Sequence, residues 1–226
     1  MSPRNQDPSD VLVGRTSERA TLRQLLASVC AGAGGVLVIR GDPGIGKTAL
    51  LDDVAATHQD LTIERIVEAE AEAEAEAELA FAGVQRLILR HRDFVDELPA
   101  PQRHALLVML GVEFGPPPDR FLVGLGVHAL LGLVATSGPI LIMVDDLQWL
   151  DQESIDVLAF VARRVDGGGV GMILAQRSDT AITAFDQLPG LQLAGLERSD
   201  ALTLLRRVVT RPLEARISDQ SPSPFR

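Results

Sequence analysis

One cysteine, Cys30, leaves this chain unable to close a disulfide within itself. It falls in a helix-like stretch, where it is expected to pack as a small apolar residue, and such sparse usage suits a reducing cytosol. Positive charge is also scarce. Lys and Arg number 21 against 31 Asp and Glu, giving a formal net charge of -10 and a pI near 4.8. That balance excludes a broad basic face for nucleic acid, which needs clustered cations to meet phosphates. The four histidines, His58, His91, His104 and His128, share no metal-ligand spacing with each other or with Cys30, which argues against zinc. Long hydrophobic runs are missing too. The apolar stretch from Phe121 to Val134 is interrupted by His128 and glycines and falls short of the ~20 residues of a membrane span. Residues 1–10 are polar, without the apolar core of a signal peptide. The expectation is a cytoplasmic chain with no membrane span and no DNA-reading surface of its own.

What is present is enough for one α/β domain with a real core: 226 residues, 46% of them hydrophobic. The most informative stretch is Gly41-Asp42-Pro43-Gly44-Ile45-Gly46-Lys47-Thr48, which fits the phosphate-binding pattern G-x-x-x-x-G-K-[ST]. Glycines let the backbone turn tightly and aim N–H groups inward, and a following helix adds the positive end of its dipole. The context fits. Val36 to Ile39 reads as a buried strand and Ala49 to Val54 as a helix, so the order is strand, loop, helix. A nucleoside triphosphate is the expected ligand, with Lys47 reaching the β- and γ-phosphates and the Thr48 hydroxyl holding Mg²⁺.

A second run, Ile140-Leu141-Ile142-Met143-Val144-Asp145-Asp146, is apolar until it ends in two carboxylates. Continuous apolarity fits a central parallel strand, and such strands present ligand-binding groups at their carboxyl ends. Asp145 is the candidate metal-side residue opposite Thr48. Asp146 is the candidate to orient or deprotonate attacking water, so Asp146 and Lys47 are the candidate catalytic pair. Trp149 is expected to pack, and Asp151 to cap a helix from Glu153 to Val165. Val170 to Ala175 reads as another buried strand, followed by Arg177, which is either a γ-phosphate sensor or an ordinary surface arginine.

Other segments are less specific. Leu12-Val13-Gly14-Arg15-Thr16 leads into a helix carrying Leu22, Leu25, Leu26 and Val29, with Thr16 or Ser17 as its cap. Val13, Gly14 and Arg15 are either a plain turn or, by analogy with nucleotide-binding folds, a lining for the base. Leu61 to Val67 alternates as a second strand. The repeat from Glu68 to Glu78 alternates Glu and Ala; helix propensity opposes the strand-like pattern, and a frayed, low-complexity extension is expected. Gln102 to Gly111 reads as a short helix, and Arg120 to about Ala135 as a buried one. Leu191 to Leu193 is a last short strand, before a helix that Ser199 would cap with Ala201, Leu204, Leu205 and Val208 in register. A disordered start over 1–10, one nucleotide-binding domain over 11–211 and a polar tail over 212–226 complete the expected organisation.

With these motifs placed, the sequence resembles the ATP-binding domain of the large LuxR-family transcriptional regulators, which are AAA-like signal-transduction ATPases. The matching segments are Leu12 to Arg15, Gly41 to Thr48, Glu78-Leu79-Ala80-Phe81-Ala82-Gly83, Gly115-Pro116-Pro117-Pro118-Asp119-Arg120-Phe121, Val144 to Asp151 and Leu193-Ala194-Gly195-Leu196. The resemblance implies a P-loop NTPase fold: three αβα layers, a five-stranded parallel sheet with extra strands between the two motif strands, and a helical insertion. It implies ATP rather than GTP, bound with Mg²⁺, in a switch that self-associates when ATP is bound. Hydrolysis would be slow or absent and would reset the state. The family's sensor and helix-turn-helix regions do not follow residue 211 here, so a truncated frame or a natural fragment is expected. A stand-alone ATPase or phosphotransferase is the rival reading; it needs a cationic lid, whereas residues 68–121 are acidic and apolar. A non-functional truncated product is the third.

Overall fold

The computed structural model describes residues 12–58, 61–67, 79–180 and 182–206. Among them five strands make one sheet: β1 (Gly35–Gly41), β2 (Thr62–Val67), β3 (Ile140–Asp145), β4 (Val170–Arg177) and β5 (Gly190–Gln192). The order across the sheet is β2-β3-β4-β1-β5, and every pairing is parallel. Parallel neighbours cannot be joined by tight turns. Helix α1 (Thr16–Cys30) precedes β1, and the chain crosses between strands through α2 (Lys47–Thr57), α3 (Ala82–Arg90), α4 (Ala100–Met109), α5 (Arg120–Ala135) and α6 (Gln152–Ala162). The expected αβα arrangement with its five-stranded parallel sheet is the one observed.

Alternation along the strands sorts the core between two layers. Leu37, Ile39, Leu141, Met143, Ile173 and Ala175 face α1 and α2, where Leu22, Leu26, Val29, Leu50, Leu51 and Val54 meet them. Val38, Ile66, Ile140, Ile142, Val144, Met172 and Leu174 face the other way, toward α3 to α6. β3 is an interior strand, paired on both sides and buried along its whole length, which is why its sequence is an unbroken apolar run. Each such side chain contributes about 1.5–3 kcal/mol by leaving water. Helix α5 approaches α6 closely because Gly124 has no side chain: a Cβ there would lie 2.8 Å from the Phe160 ring.

Three local expectations are corrected. Cys30 is exposed: the inward stripe of α1 is Leu22, Leu26 and Val29, and the next residue rotates away from it. Neither Thr16 nor Ser17 caps α1; Arg15 takes the cap position, without a side-chain cap bond, and the Ser17 hydroxyl instead donates to Glu18. Ser199 lies inside the helical residues 198–206, since Ala201 N–H already bonds to the Glu197 carbonyl, and Leu204 and Leu205 are exposed. The Asp151 cap is present, its carboxylate accepting from Ser154 N–H at 2.9 Å. Residues 1–10, the Glu68 to Glu78 repeat, Val208 and the tail lie outside the described residues. Among the described residues no helix is long and apolar enough to cross a membrane, and no His, Cys, Asp and Glu cluster suits a metal ion.

Candidate functional site

The loop after β1 turns through Gly44 at φ +75° and Gly46 at φ +104°, conformations that a side chain resists. Gly46 then caps α2, whose first residue is Lys47. The Lys47 side chain is buried, and its ammonium donates back to the loop, to the Gly41 carbonyl at 2.9 Å and the Asp42 carbonyl at 3.1 Å. A buried cation must be paired or hydrogen-bonded, and these carbonyls meet that need. The same ammonium can exchange neutral carbonyls for charged phosphate oxygens at a gain.

Strand pairing brings the other groups to this loop. β4 lies between β1 and β3, and Arg177 is in register with Gly41. Arg177 and Asp146 line one cleft of about 420 Å³ with Gly44, Gly46, Lys47, Thr48 and Asp52. Asp146 leaves β3 at φ 54° and its Oδ1 accepts from Gln148 Nε2 at 2.8 Å, with Arg177 Nε 4.0 Å from the same oxygen. The Arg177 guanidinium lies 5.3 Å over the Trp149 ring, so Trp149 positions a charge as well as packing.

Asp145 ends β3 with only 5% of its surface exposed. Its Oδ2 accepts from Arg65 Nη2 at 3.1 Å, while its Oδ1 is buried without a hydrogen-bond partner. Arg65 reaches Asp145 because Ile63, Arg65 and Val67 share the β2 face toward α2, and Val67 is in register with Asp145. From α2, Asp52 accepts the other end of the same guanidinium. Burial alone would lower the Arg65 pKa, but the hydrogen bonds and negative charges of Asp52 and Asp145 outweigh it and raise the pKa above its ordinary value.

Arg15 approaches from behind the loop. It is 6% exposed and donates to the Ile45 carbonyl at 3.0 Å, to the Ala194 carbonyl at 2.8 Å and to Glu18 at 2.9 Å. Gly14 turns at φ +73°, and a Cβ there would meet the Asp200 side chain at 2.5 Å. Val13, Gly14 and Arg15 are not among the residues lining the cleft around Lys47. Arg15 instead joins the loop to the segment after β5. A comparable tie joins two segments that look unrelated in sequence: Asp151, besides capping α6, accepts from Phe81 N–H at 2.8 Å and Gly83 N–H at 3.2 Å.

A family model described as the AAA ATPase domain matches residues 11–174, well over half the chain and both motif strands. The chain belongs to the AAA ATPase domain family. Its fold is similar to the signal transduction ATPase with numerous domains that carries a tetratricopeptide repeat sensor, from Pyrococcus horikoshii: TM-score 0.50 at 20% identity over 93% of this chain. It is similar also to Cdc6p from Pyrobaculum aerophilum, with TM-score 0.53 at 13% identity over 87% of this chain. This chain spans 27% of the first neighbour's length and 49% of the second's. No curated protein matches the chain in sequence.

Membership implies a nucleotide, usually with Mg²⁺, and the residues fit both. A buried Asp145 oxygen lacks a partner, which suits a ligand that accepts an electron pair, and the Gly44–Gly46 turn opens onto the cleft. Of the polar groups that motif reading missed in this AAA ATPase domain, Asp52 lines the cleft, while Arg65 and Gln148, like Asp145, are not in its lining and hold Asp145 and Asp146 respectively. Two signals were legible: Asp52 falls four residues after Thr48, on the same face of α2, and Arg65 alternates with Ile63 and Val67 on β2.

Proposed function

We propose that the chain is the ATP-binding switch domain of a LuxR-family-like transcriptional regulator. It binds ATP with Mg²⁺ and hydrolyses it slowly or not at all. The observation that carries this reading is the single cleft that gathers Lys47, Thr48, Asp146 and Arg177 from three separate elements. Backbone N–H groups of Gly41 to Gly46 hold phosphate oxygens, and Lys47 moves from the loop carbonyls onto the β- and γ-phosphates. Thr48 and Asp145 hold Mg²⁺, which supplies charge neutralisation to the phosphates when bound. Asp146, held by Gln148, orients water, and a side chain one methylene shorter than glutamate sets it back from the phosphate, consistent with slow turnover. Arg177 reports the γ-phosphate to β4 and Trp149.

A switch needs differential affinity between two conformations rather than fast chemistry. A neighbour described as a signal transduction ATPase with a tetratricopeptide repeat sensor supports that use, and ATP-dependent self-association is the proposed output. Val13 and Gly14 remain the proposed edge of the base site, and Arg15 its support. Equilibrium titration with a fluorescent ATP analogue tests the assignment. Lys47→Ala is expected to weaken binding about 100-fold, the equivalent of one charge-assisted contact of roughly 2.7 kcal/mol. Wild-type affinity in a variant with an unchanged far-UV spectrum would remove the site.

A further inference from the structure

We propose that Arg65 is a resident counter-cation of the metal-side carboxylate: it occupies Asp145 when Mg²⁺ is away, and Asp52 takes it over when Mg²⁺ arrives. The inference rests on the nucleotide-switch reading above and adds to it two residues that lie outside both nucleotide motifs.

Three observations carry it. Asp145 is almost wholly buried, yet one oxygen has no partner and the other is held only by Arg65, at 3.1 Å. A buried carboxylate with half its acceptor capacity unused is prepared for a second cation. Next, the guanidinium is divided between two carboxylates of opposite environment. Asp145 has a side chain 6% exposed, whereas the Asp52 side chain is 58% exposed and lines the phosphate cleft. A planar fork with several donors can release one partner and keep the other. Finally, Arg65 Nε is buried without a hydrogen-bond partner, so the present geometry leaves part of the guanidinium unsatisfied and its hold on Asp145 incomplete.

The consequence is a charge exchange at constant fold. A divalent cation on Asp145 repels a guanidinium on the same carboxylate, and the repulsion is strong where water is scarce. Arg65 then rests on Asp52 alone, at the exposed side of α2. The carboxylate is thereby kept neutralised in the nucleotide-free state.

The test is a titration of Mg²⁺ into the full chain holding a fluorescent ATP analogue, with affinity also measured in EDTA. Arg65→Gln is expected to lower the half-saturating Mg²⁺ concentration about tenfold while leaving metal-free nucleotide affinity within about twofold; tenfold is about 1.4 kcal/mol. Arg65→Lys, which keeps a cation but reaches one carboxylate at a time, is expected to fall between. Asp52→Asn is expected to raise the midpoint in the wild-type background and to do so less in the Arg65→Gln background, a coupling that direct metal binding by Asp52 would not produce. An unmoved or raised midpoint in Arg65→Gln, or an equal loss of affinity with and without Mg²⁺, would overturn the proposal and assign Arg65 to holding β2 against β3. If the wild-type chain binds the analogue in neither condition, the switch reading falls and this inference with it.

Discussion

Replacing Arg15 with alanine should loosen the phosphate loop without touching any residue that lines the cleft. The buried guanidinium makes three contacts of 2.8–3.0 Å, to Ile45, Ala194 and Glu18. Charge-assisted bonds are worth about 1.5–3 kcal/mol each, and water entering the vacated space recovers part of that. A net loss of about 3 kcal/mol follows, roughly 150-fold in the folding equilibrium. With a urea dependence of about 2 kcal/mol per molar, the unfolding midpoint should fall by about 1.5 M. Nucleotide affinity of the folded variant should drop by about three- to tenfold, because the Ile45 carbonyl is no longer held. A pH series sharpens the test. Burial would raise the Glu18 pKa, but hydrogen bonds from Ser17 and Arg15 and the charge of Arg15 bring it below its ordinary 4.5. A carboxyl lowered in the folded state adds stability above its unfolded pKa and loses it as pH falls through the folded value. The gap between wild type and Arg15→Ala is therefore full at pH 7 and narrows once pH drops below about 4.5. A midpoint within about 0.3 M of wild type, or a gap that stays constant into acid, would refute the reasoning.

Asp151→Ala should cost about 3 kcal/mol in denaturant unfolding, combining a lost helix cap with two amides, of Phe81 and Gly83, left without their acceptor. Asp151→Asn keeps one acceptor oxygen and should cost about half as much. Gly171→Ala should destabilise by about 1–2 kcal/mol rather than gain from reduced chain entropy, since the new Cβ would lie 2.6 Å from a Val29 methyl and 3.0 Å from Leu141. Denaturant unfolding of all three variants provides the measurement.

An α/β class with buried parallel strands was legible because two signals are local in sequence; the three αβα layers and the five strands came from the resemblance. Continuous apolar runs mark buried parallel strands, and the phosphate loop dictates a strand before it and a helix after it. Helix α5 was legible for the same reason. Capping was less so: Asp151 was readable as a capping residue type directly before a periodic helix, but the start of α1 is decided by Arg15, whose partners lie 30 and 179 residues away. Cys30 was misread because a residue at a helix end can fall on either side of the buried stripe.

Sequence alone singled out the residues proposed to meet a triphosphate and a metal: glycines that accept positive φ, a lysine and threonine at the helix start, and carboxylates at a strand's end. Those are properties of residue type and spacing. Only the tertiary structure decided what surrounds them. The resemblance implies extra strands between the two motif strands; the tertiary structure decides that one strand, β4, lies there and carries Arg177 to the loop, and that β2 pairs with β3 to set Arg65 beside Asp145. Strand order is a choice among long-range pairings, and no local pattern in the chain encodes which strand lies between two others.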